Sequence, residues 1–254
     1  MIGSYIPQLL FKSSTQMSEL GDGMVSLILT GPPYFPDELE ERLRRGRLRD
    51  HEINVLEGQI REFAFELKTT FSEMVRVLAP HGVIVMQTRD VRLSDRLISV
   101  EQIHRMLLEA MGLVFYTRYL WRPSHTSKNR LTQLESEARS GHPRAFDPEV
   151  FQVYKRPGAV THGSPTDEDI DLLTQDIIST PLGRLHSPHR FQAPIPILIS
   201  VIRCWSNPED VVLDPFMGGG TTIWAARSLS RKAIGYECVK ESFRLAQCNL
   251  GLVD

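Results

Sequence analysis

Residues 211–222, VVLDPFMGGGTT, limit the folds open to this chain more than any other segment. An apolar run that ends in Asp214 is followed by three consecutive glycines and two threonines, and the next residues have helical spacing. Such a run suits a buried strand of a parallel sheet, and the glycines permit left-handed backbone angles and close approach of a ligand. The segment therefore predicts a strand, a tight turn and the start of a helix.

The chemistry of this turn favours a ligand that carries an amine, a carboxylate and a nucleoside. The Asp214 carboxylate can bind an ammonium group, and Thr221 or Thr222 can cap the helix, whose unpaired N–H groups attract negative charge. The turn lacks the lysine of a phosphate-binding GxxxxGK[ST] loop and the GxGxxG spacing of a dinucleotide turn. A glycine-rich turn that binds nothing is the alternative.

A second acidic residue ends the next predicted strand. Residues 231–237, RKAIGYE, finish in Glu237, which comes 23 positions after Asp214. An acid about 20 positions on, at the end of the second strand, commonly holds ribose hydroxyls. The loop and the acid together favour a nucleoside over the alternative of a solvated glutamate.

A rigid turn with an aromatic side chain occurs much earlier in the chain. The apolar run 24–30, MVSLILT, stops at Gly31, and Pro32, Pro33 and Tyr34 follow. Adjacent prolines end a strand and hold their carbonyl groups stiffly, with the tyrosine beside them. By itself this turn is more simply explained as structural, and only its occurrence together with the glycine loop favours a functional role.

These segments together resemble the amino-group DNA methyltransferases, which modify N4 of cytosine or N6 of adenine. Residues 30–34, TGPPY, are similar to the (D/N/S)PPY motif of that family, and residues 214–222 to its DPFxGSGTT cofactor motif. Between them, residues 71–85, FSEMVRVLAPHGVIV, resemble the helix and strand of the family. The order, with PPY first, is that of the permuted "beta" group.

The resemblance implies one catalytic domain over residues 1–254. The expected fold is α/β, a Rossmann-like methyltransferase with a mostly parallel seven-stranded sheet and circularly permuted motif order. The expected cofactor is S-adenosyl-L-methionine, bound by Asp214, Pro215, Phe216, Gly218, Gly219, Gly220, Thr221, Thr222 and Glu237. The expected catalytic residues are Gly31, Pro32, Pro33 and Tyr34.

The sequence departs from the family pattern in three places. Gly31 stands where the family has Asp, Asn or Ser, Gly219 replaces the serine of the loop, and residues 11–14, FKSS, replace a Gly-Asp pair. Gly31 removes a side-chain acceptor for the target amine but leaves the Pro32 carbonyl. Because a threonine precedes the motif, as in the TSPPY of cytosine-amine enzymes, the expected target is N4 of a flipped cytosine.

Three alternative functions stay open at this point. The protein could modify adenine N6 instead of cytosine N4. It could act on an amine of RNA or protein, since related PPY motifs serve there. It could also be a degenerate relative that binds DNA without catalysis, because Gly31 and the missing Gly-Asp pair weaken the motifs.

Three segments outside the motifs are expected to contact DNA, namely residues 36–62, 122–148 and 157–192. The first is rich in arginine, and the second combines basic side chains with the adjacent Trp121. The third ends within residues 177–208, a stretch that contains no acidic residue. Such side chains suit a nucleic-acid groove, and a solvated surface is the alternative. The expected DNA-binding residues are Arg44, Arg45, Arg122, Lys128, Arg130, His186, His189 and Arg190.

The charge, the cysteines and the apolar runs of the chain limit the classes of protein that remain possible. The net charge of −2 gives no global nucleic-acid signature, so any such surface must be local. Cys204, Cys238 and Cys248 form no CxxC pair, which predicts neither disulfides nor a metal site. With no signal peptide and no long apolar run, a cytoplasmic protein that acts on double-stranded DNA is expected. A restriction endonuclease acting at the same site and a homodimer are left open.

Periodicity predicts the other main elements. A short strand and then a helix are expected in residues 5–20. Further helices are expected over residues 66–78, 100–111 and 195–204. Further strands are expected over residues 82–88, 112–121 and 151–156.

Overall fold

The structure is a computed structural model that describes residues 6–34, 50–93, 96–123, 149–180 and 193–253. Its strands are β1 (Gln8–Phe11), β2 (Val25–Thr30), β3 (Leu78–Thr88), β4 (Val91–Leu93), β5 (Arg96–Ile98), β6 (Val114–Pro123), β7 (Glu149–Lys155), β8 (Ile178–Thr180), β9 (Val211–Asp214) and β10 (Lys232–Glu237). Its helices are α1 (Asp50–Glu66), α2 (Lys68–Val77), α3 (Val100–Ala110), α4 (Asp167–Leu173), α5 (Ile195–Trp205), α6 (Thr221–Ser228) and α7 (Lys240–Asn249). No helix in these five ranges is long and apolar enough to cross a membrane.

Eight strands form one mostly parallel sheet in the order β1-β10-β9-β2-β3-β7-β6-β8, and β4 pairs with β5 separately. The first five strands in this order are parallel, whereas β7 runs antiparallel to β3 and β6. This confirms the predicted α/β class and the permuted order, because β2 precedes β9 in sequence yet lies beside it. The sheet has one strand more than the predicted seven, since the short β8 pairs with the end of β6.

Alternate residues of the central strands enter two cores on opposite faces of the sheet. In β2, Leu27 and Leu29 belong to one core and Ile28 to the other, and all three are at most 1% exposed. The first core also contains side chains of α5 and α6, and the second contains side chains of α2 and α3. The sheet is therefore covered by helices on both faces, and its strand ends are where a ligand can reach it.

Residues 12–23 form turns, so the helix predicted in residues 5–20 after the first strand is wrong. Tertiary contacts replace the helical hydrogen bonds there. Arg76 of α2 donates to the Met17 carbonyl at 3.0 Å, and the Met17 N–H donates to Glu73 at 2.7 Å. The Arg76 guanidinium also holds the pKa of Glu73 down at about 2, so this carboxylate stays charged. These contacts bind the segment to α2.

The first segment predicted to contact DNA, residues 36–62, contributes in part to the fold. Residues 50–62 form most of α1, and Ile53, Leu56 and Ile60 are at most 4% exposed. They form a small core with side chains of β4, β5 and α3. The earlier residues of this segment, including most of its arginines, lie outside the described ranges.

We expect Arg76→Met to lower the free energy of unfolding by about 2–4 kcal/mol, because several charge-assisted hydrogen bonds are lost together. Urea denaturation at neutral pH measures this change. Arg61→Met is the matched control, since Arg61 makes an exposed pair with Glu57 one helical turn away. Its effect should stay below about 1 kcal/mol. Equal effects of the two variants would contradict the assigned role of Arg76.

Candidate active site

The two sequence motifs meet at the carboxyl ends of the neighbouring strands β2 and β9. The register pairs Ile28 with Leu213, so both strands end at the same edge of the sheet. Thr30 Oγ1 donates to Asp214 Oδ1 at 2.6 Å, and both residues are at most 3% exposed. Open α/β sheets bind their ligands in crevices at this edge.

A cavity of about 700 Å³ opens where these strands end. Its volume falls in the range of roughly 300–1,000 Å³ that is usual for small-molecule and cofactor sites. Residues from both predicted groups line it, namely Gly31, Pro32, Pro33, Tyr34, Asp214, Pro215, Phe216, Gly218, Gly219, Thr221, Thr222 and Glu237. The structure thus brings the PPY turn and the glycine loop into one cavity.

Gly220 is the one predicted cofactor-binding residue that does not line this cavity. It precedes α6 with a φ of 80°, which favours glycine, and an added Cβ would lie 3.1 Å from Ala246 Cβ of α7. Its role in the structure is to let α6 begin close to α7. Asn249, also on α7, donates to the Gly219 carbonyl at 2.9 Å and holds the loop from behind.

Asp214 is a buried carboxylate surrounded by hydrogen-bond donors. Thr30, the Thr222 side chain and the Phe216 N–H all donate to it. The pKa of Asp214 is raised to about 6, mainly by burial. The nearby Glu237 carboxylate also raises this pKa, whereas the three hydrogen-bond donors lower it. Asp214 is therefore mainly ionised at neutral pH, and a cation in the cavity would stabilise the ionised form.

Glu237 ends β10 on the other side of the glycine loop. Its Oε2 accepts from the Gly218 N–H at 3.0 Å, and its Oε1 accepts from the Val239 N–H at 2.7 Å. These two backbone hydrogen bonds fix the Glu237 side chain at the cavity.

Tyr34 is the last residue of the PPY turn and is partly buried. Its ring packs against the small core that includes Ile53 and Leu56 of α1. The Arg89 guanidinium lies 5.2 Å from the ring centroid, within the range of a cation–π contact. Burial raises the pKa of Tyr34, so its hydroxyl remains protonated.

Gly31 has room for a side chain. An added Cβ would lie 3.7 Å from the Gln87 carbonyl oxygen and 3.8 Å from Gln87 Cβ, which are ordinary contact distances. The backbone of Gly31 does not have a positive φ, so its conformation does not require glycine. Within the part of the chain that the structure describes, no neighbour therefore requires a glycine at this motif position.

The sequence prediction missed Gln87, which lines the cavity from the end of β3. It is 7% exposed, and its Nε2 donates to Glu149 Oε2. The sequence signal for Gln87 was a polar residue at the carboxyl end of an apolar strand. Its importance becomes clear only when β3 is known to lie beside β2, because this pairing places Gln87 next to the PPY turn.

The prediction also missed that residues 12–15 line the cavity. They follow β1, which lies beside β10. Lys12 is bound to Glu19 at 2.8 Å, and Ser14 is 4% exposed. The segment that replaces the family's Gly-Asp pair, residues 11–14, thus contributes residues 12–14 to the cavity lining.

Of the predicted DNA-binding residues, the described part of the chain contains only Arg122. It is exposed on β6, opposite Ser179 of β8, and does not line the cavity. The other predicted DNA-binding residues lie outside the described ranges, namely Arg44, Arg45, Lys128, Arg130, His186, His189 and Arg190.

Fold and site together define a class. A covered parallel sheet whose strand ends carry a glycine loop, a buried acid and a second acid on the next strand is typical of α/β enzymes that bind a nucleoside cofactor. Residues 25–248 match the family model N6_N4_Mtase, described as DNA methylase. The chain belongs to this DNA methylase family, which confirms the resemblance noted in the sequence and makes the protein a DNA methyltransferase.

Two curated relatives extend over most of the chain. M.MjaI, a Type II methyltransferase of Methanocaldococcus jannaschii, is 27% identical over 285 residues, covering 96% of this chain and 91% of the relative. M.MthZI, a Type II methyltransferase of Methanothermobacter thermautotrophicus, is 26% identical over 257 residues, covering 89% and 71% respectively.

Solved structures share the fold. The PvuII DNA methyltransferase, described as cytosine-N4-specific, aligns with a TM-score of 0.72 and 14% identity, covering 100% of this chain and 89% of that one. The complex of M1.HpyAVI with SAM aligns with a TM-score of 0.65 and 20% identity, covering 96% and 99%. At these identities the likeness supports the fold alone.

We expect Asp214→Asn to be more stable than the wild type at pH 8, by up to about 3 kcal/mol. The folded-state pKa of about 6 lies above the ordinary value of 3.8, so this carboxyl favours folding at low pH and opposes it as the pH rises through 6. The difference in free energy of unfolding between the variant and the wild type should decrease towards pH 4. Urea denaturation at pH 4.5 and 8 measures it.

An exposed carboxylate provides the control for this experiment. Asp176→Asn, at an exposed position after α4, makes the same replacement of a carboxylate by an amide outside the core. A difference between Asp214→Asn and the wild type that stays constant from pH 4.5 to pH 8 would contradict the assigned pKa.

Proposed function

We propose that the protein transfers a methyl group from S-adenosyl-L-methionine to the exocyclic N4 amine of a cytosine flipped out of double-stranded DNA. The observation that carries the proposal is the single cavity shared by the PPY turn and the glycine loop. A methyl donor and an amine must be held next to each other for transfer, and residues on adjacent strand ends can hold both.

The residues on the cofactor side of the cavity fit S-adenosyl-L-methionine, the methyl donor of this family. The Asp214 carboxylate suits the ammonium group, and Glu237 suits the ribose hydroxyls. Gly218 and Gly219 line the cavity without side chains that would fill it. When bound, this cofactor supplies a methyl group already activated by its sulfonium, so the protein needs only to position and polarise the acceptor.

The residues on the other side of the cavity fit a flipped base. An exocyclic amine is a poor nucleophile because its lone pair is delocalised into the ring. The Pro32 carbonyl, held stiffly by the turn, would accept an N–H of the amine and favour a tetrahedral nitrogen. Tyr34 would stack on the base and offset part of the few kcal/mol that flipping costs.

Cytosine is the proposed target because of the residues before PPY. Thr30 and Gly31 there are closer to the TSPPY of cytosine-amine enzymes than to the DPPY typical of adenine enzymes. Adenine N6 is the second candidate, since the cavity offers the same acceptor to either amine.

Nucleoside mass spectrometry tests the product. Unmodified DNA incubated with the protein and labelled cofactor should yield N4-methylcytosine, and sequencing should place it at one short recognition sequence. N6-methyladenine alone would overturn the choice of base. Methylation of RNA and not DNA would overturn the substrate class, and cofactor binding with no product would favour a non-catalytic relative.

We expect Tyr34→Leu to slow methylation about 10- to 100-fold, because one stacked base is worth about 1–3 kcal/mol. Tyr34→Phe keeps the ring and should retain most of the activity. The rate of product formation on the mapped duplex measures both variants. Equal rates for Leu and Phe at this position would exclude stacking as the role of the ring.

Cofactor affinity should depend on pH through Asp214. Binding of an ammonium group requires the carboxylate, and the pKa of Asp214 is about 6. The Kd for S-adenosyl-L-methionine should therefore rise about tenfold for each pH unit below 6 and level off above it. Calorimetric titration at pH 5, 6 and 7.5 measures this, and Asp214→Asn should bind weakly with no such slope. An equal Kd at pH 5 and 7.5 would exclude this role.

The relatives also bear on the biological partner. Both M.MjaI and M.MthZI are named Type II methyltransferases. By this likeness, the protein would protect its recognition sequence from a restriction endonuclease that cuts at the same site. DNA methylated by the protein should then resist an endonuclease with that specificity, whereas unmethylated DNA should be cut.

A further inference from the structure

We propose that Gln87 provides the second hydrogen-bond acceptor for the target amine, the one that Gly31 cannot provide. The inference rests on the proposed function, because it requires the amine to bind beside the Pro32 carbonyl. It does not depend on which base carries the amine, since N4 of cytosine and N6 of adenine each have two N–H groups.

The position of Gln87 follows from the register of β2 and β3. These strands are parallel, and Thr30 pairs with Met86, so Gly31 and Gln87 are the next residues of each. A Cβ added at Gly31 would lie 3.8 Å from Gln87 Cβ, which puts both positions on the same side of the strand ends. Both residues line the cavity. The Gln87 side chain thus begins beside the place where a side chain at position 31 would begin.

Glu149 determines which end of the Gln87 amide can serve a ligand. A carboxylate can only accept, so the Gln87 amide must turn its nitrogen towards Glu149, and it does so. The amide oxygen is then the polar atom that Gln87 can offer to a molecule in the cavity. Because Glu149 begins β7 and is opposite Trp121 of β6, its own position is fixed by the sheet.

Two acceptors suit the chemistry of the amine. The Pro32 carbonyl accepts one N–H and the Gln87 amide oxygen accepts the other, which draws the nitrogen lone pair out of the ring. The nitrogen then gains its bond to the methyl carbon while the sulfur keeps the electron pair of the broken bond, and a proton leaves the nitrogen for water. Both acceptors, with the Glu149 charge behind one of them, stabilise the positive charge that develops on the nitrogen.

A purely structural role for Gln87 is the competing explanation. The Gln87–Glu149 hydrogen bond joins β3 to β7, so its loss could weaken the protein without affecting the reaction directly. Gln152 allows a matched comparison, because it is a buried glutamine on β7 that donates to Glu101 at 3.0 Å. It does not line the cavity.

The test measures the single-turnover rate of methyl transfer on a duplex that carries the mapped recognition sequence. Gln87→Met, which keeps the length and removes the acceptor, should slow the step about 10- to 100-fold. Gly31→Asn combined with Gln87→Met should restore most of the lost rate.

Controls separate this role from stability and from cofactor binding. Gln152→Met should leave the rate within about twofold of the wild type, since the two hydrogen bonds that it removes, one to Glu101 and one from Tyr154, lie away from the cavity. The melting temperature and the Kd for the cofactor are measured for each variant. Their changes from one variant to the next should not parallel the changes in the methyl-transfer rate. Restoration of the rate by Gly31→Asn without a matching gain in melting temperature would support the acceptor role.

Two results would overturn the inference. One is an active wild type whose rate is unchanged in Gln87→Met. The other is a loss in Gln87→Met that Gly31→Asn does not restore and that Gln152→Met reproduces. A wild type that transfers no methyl group to any DNA would overturn the proposed function, and this inference with it.

Discussion

The hydrogen bond from Thr30 to Asp214 is the contact on which the site depends. It joins the ends of β2 and β9 at 2.6 Å, in a place with almost no access to solvent, and so links the PPY turn to the glycine loop. Its formation requires the register that pairs Ile28 with Leu213. A slip of one residue would turn the Thr30 side chain to the opposite face of the sheet and leave the Asp214 carboxylate without this donor.

Burial of the Asp214 carboxylate lowers the stability of the fold and strengthens the attraction of this carboxylate for a cation. A charge placed among apolar strands opposes folding unless donors surround it, and even with three donors the pKa of Asp214 is raised to about 6. The same burial makes Asp214 a strong partner for a cation, because solvent does not screen the interaction. Thr30, Phe216 and Thr222 together donate three hydrogen bonds to this one buried carboxylate.

Local signals in the sequence were sufficient for much of the fold. The run VVLDPFMGGGTT and the turn TGPPY each encode a strand end by short-range chemistry, and both ends lie on the cavity as their residue types indicate. The helix expected before residue 20 is absent because Arg76 and Glu73, far along the chain, take over its hydrogen bonds. Gln87 was missed for a related reason, since its position beside Gly31 arises from strand order and not from any neighbouring residue.

The glycines of this chain show why strand order matters for reading a motif. A Cβ at Gly235 of β10 would overlap the sulfur of Met217 and crowd Ile223, so a side chain there would require these residues to move. A Cβ at Gly31 would lie no closer than 3.7 Å to any atom of the described residues, so none of them requires glycine there. Position 31 could hold a side-chain acceptor but does not, which leaves the Pro32 carbonyl as the acceptor within the motif. The adjacent strand end presents the Gln87 amide, which donates to a carboxylate on a third strand, and the proposed second acceptor is the oxygen of this amide.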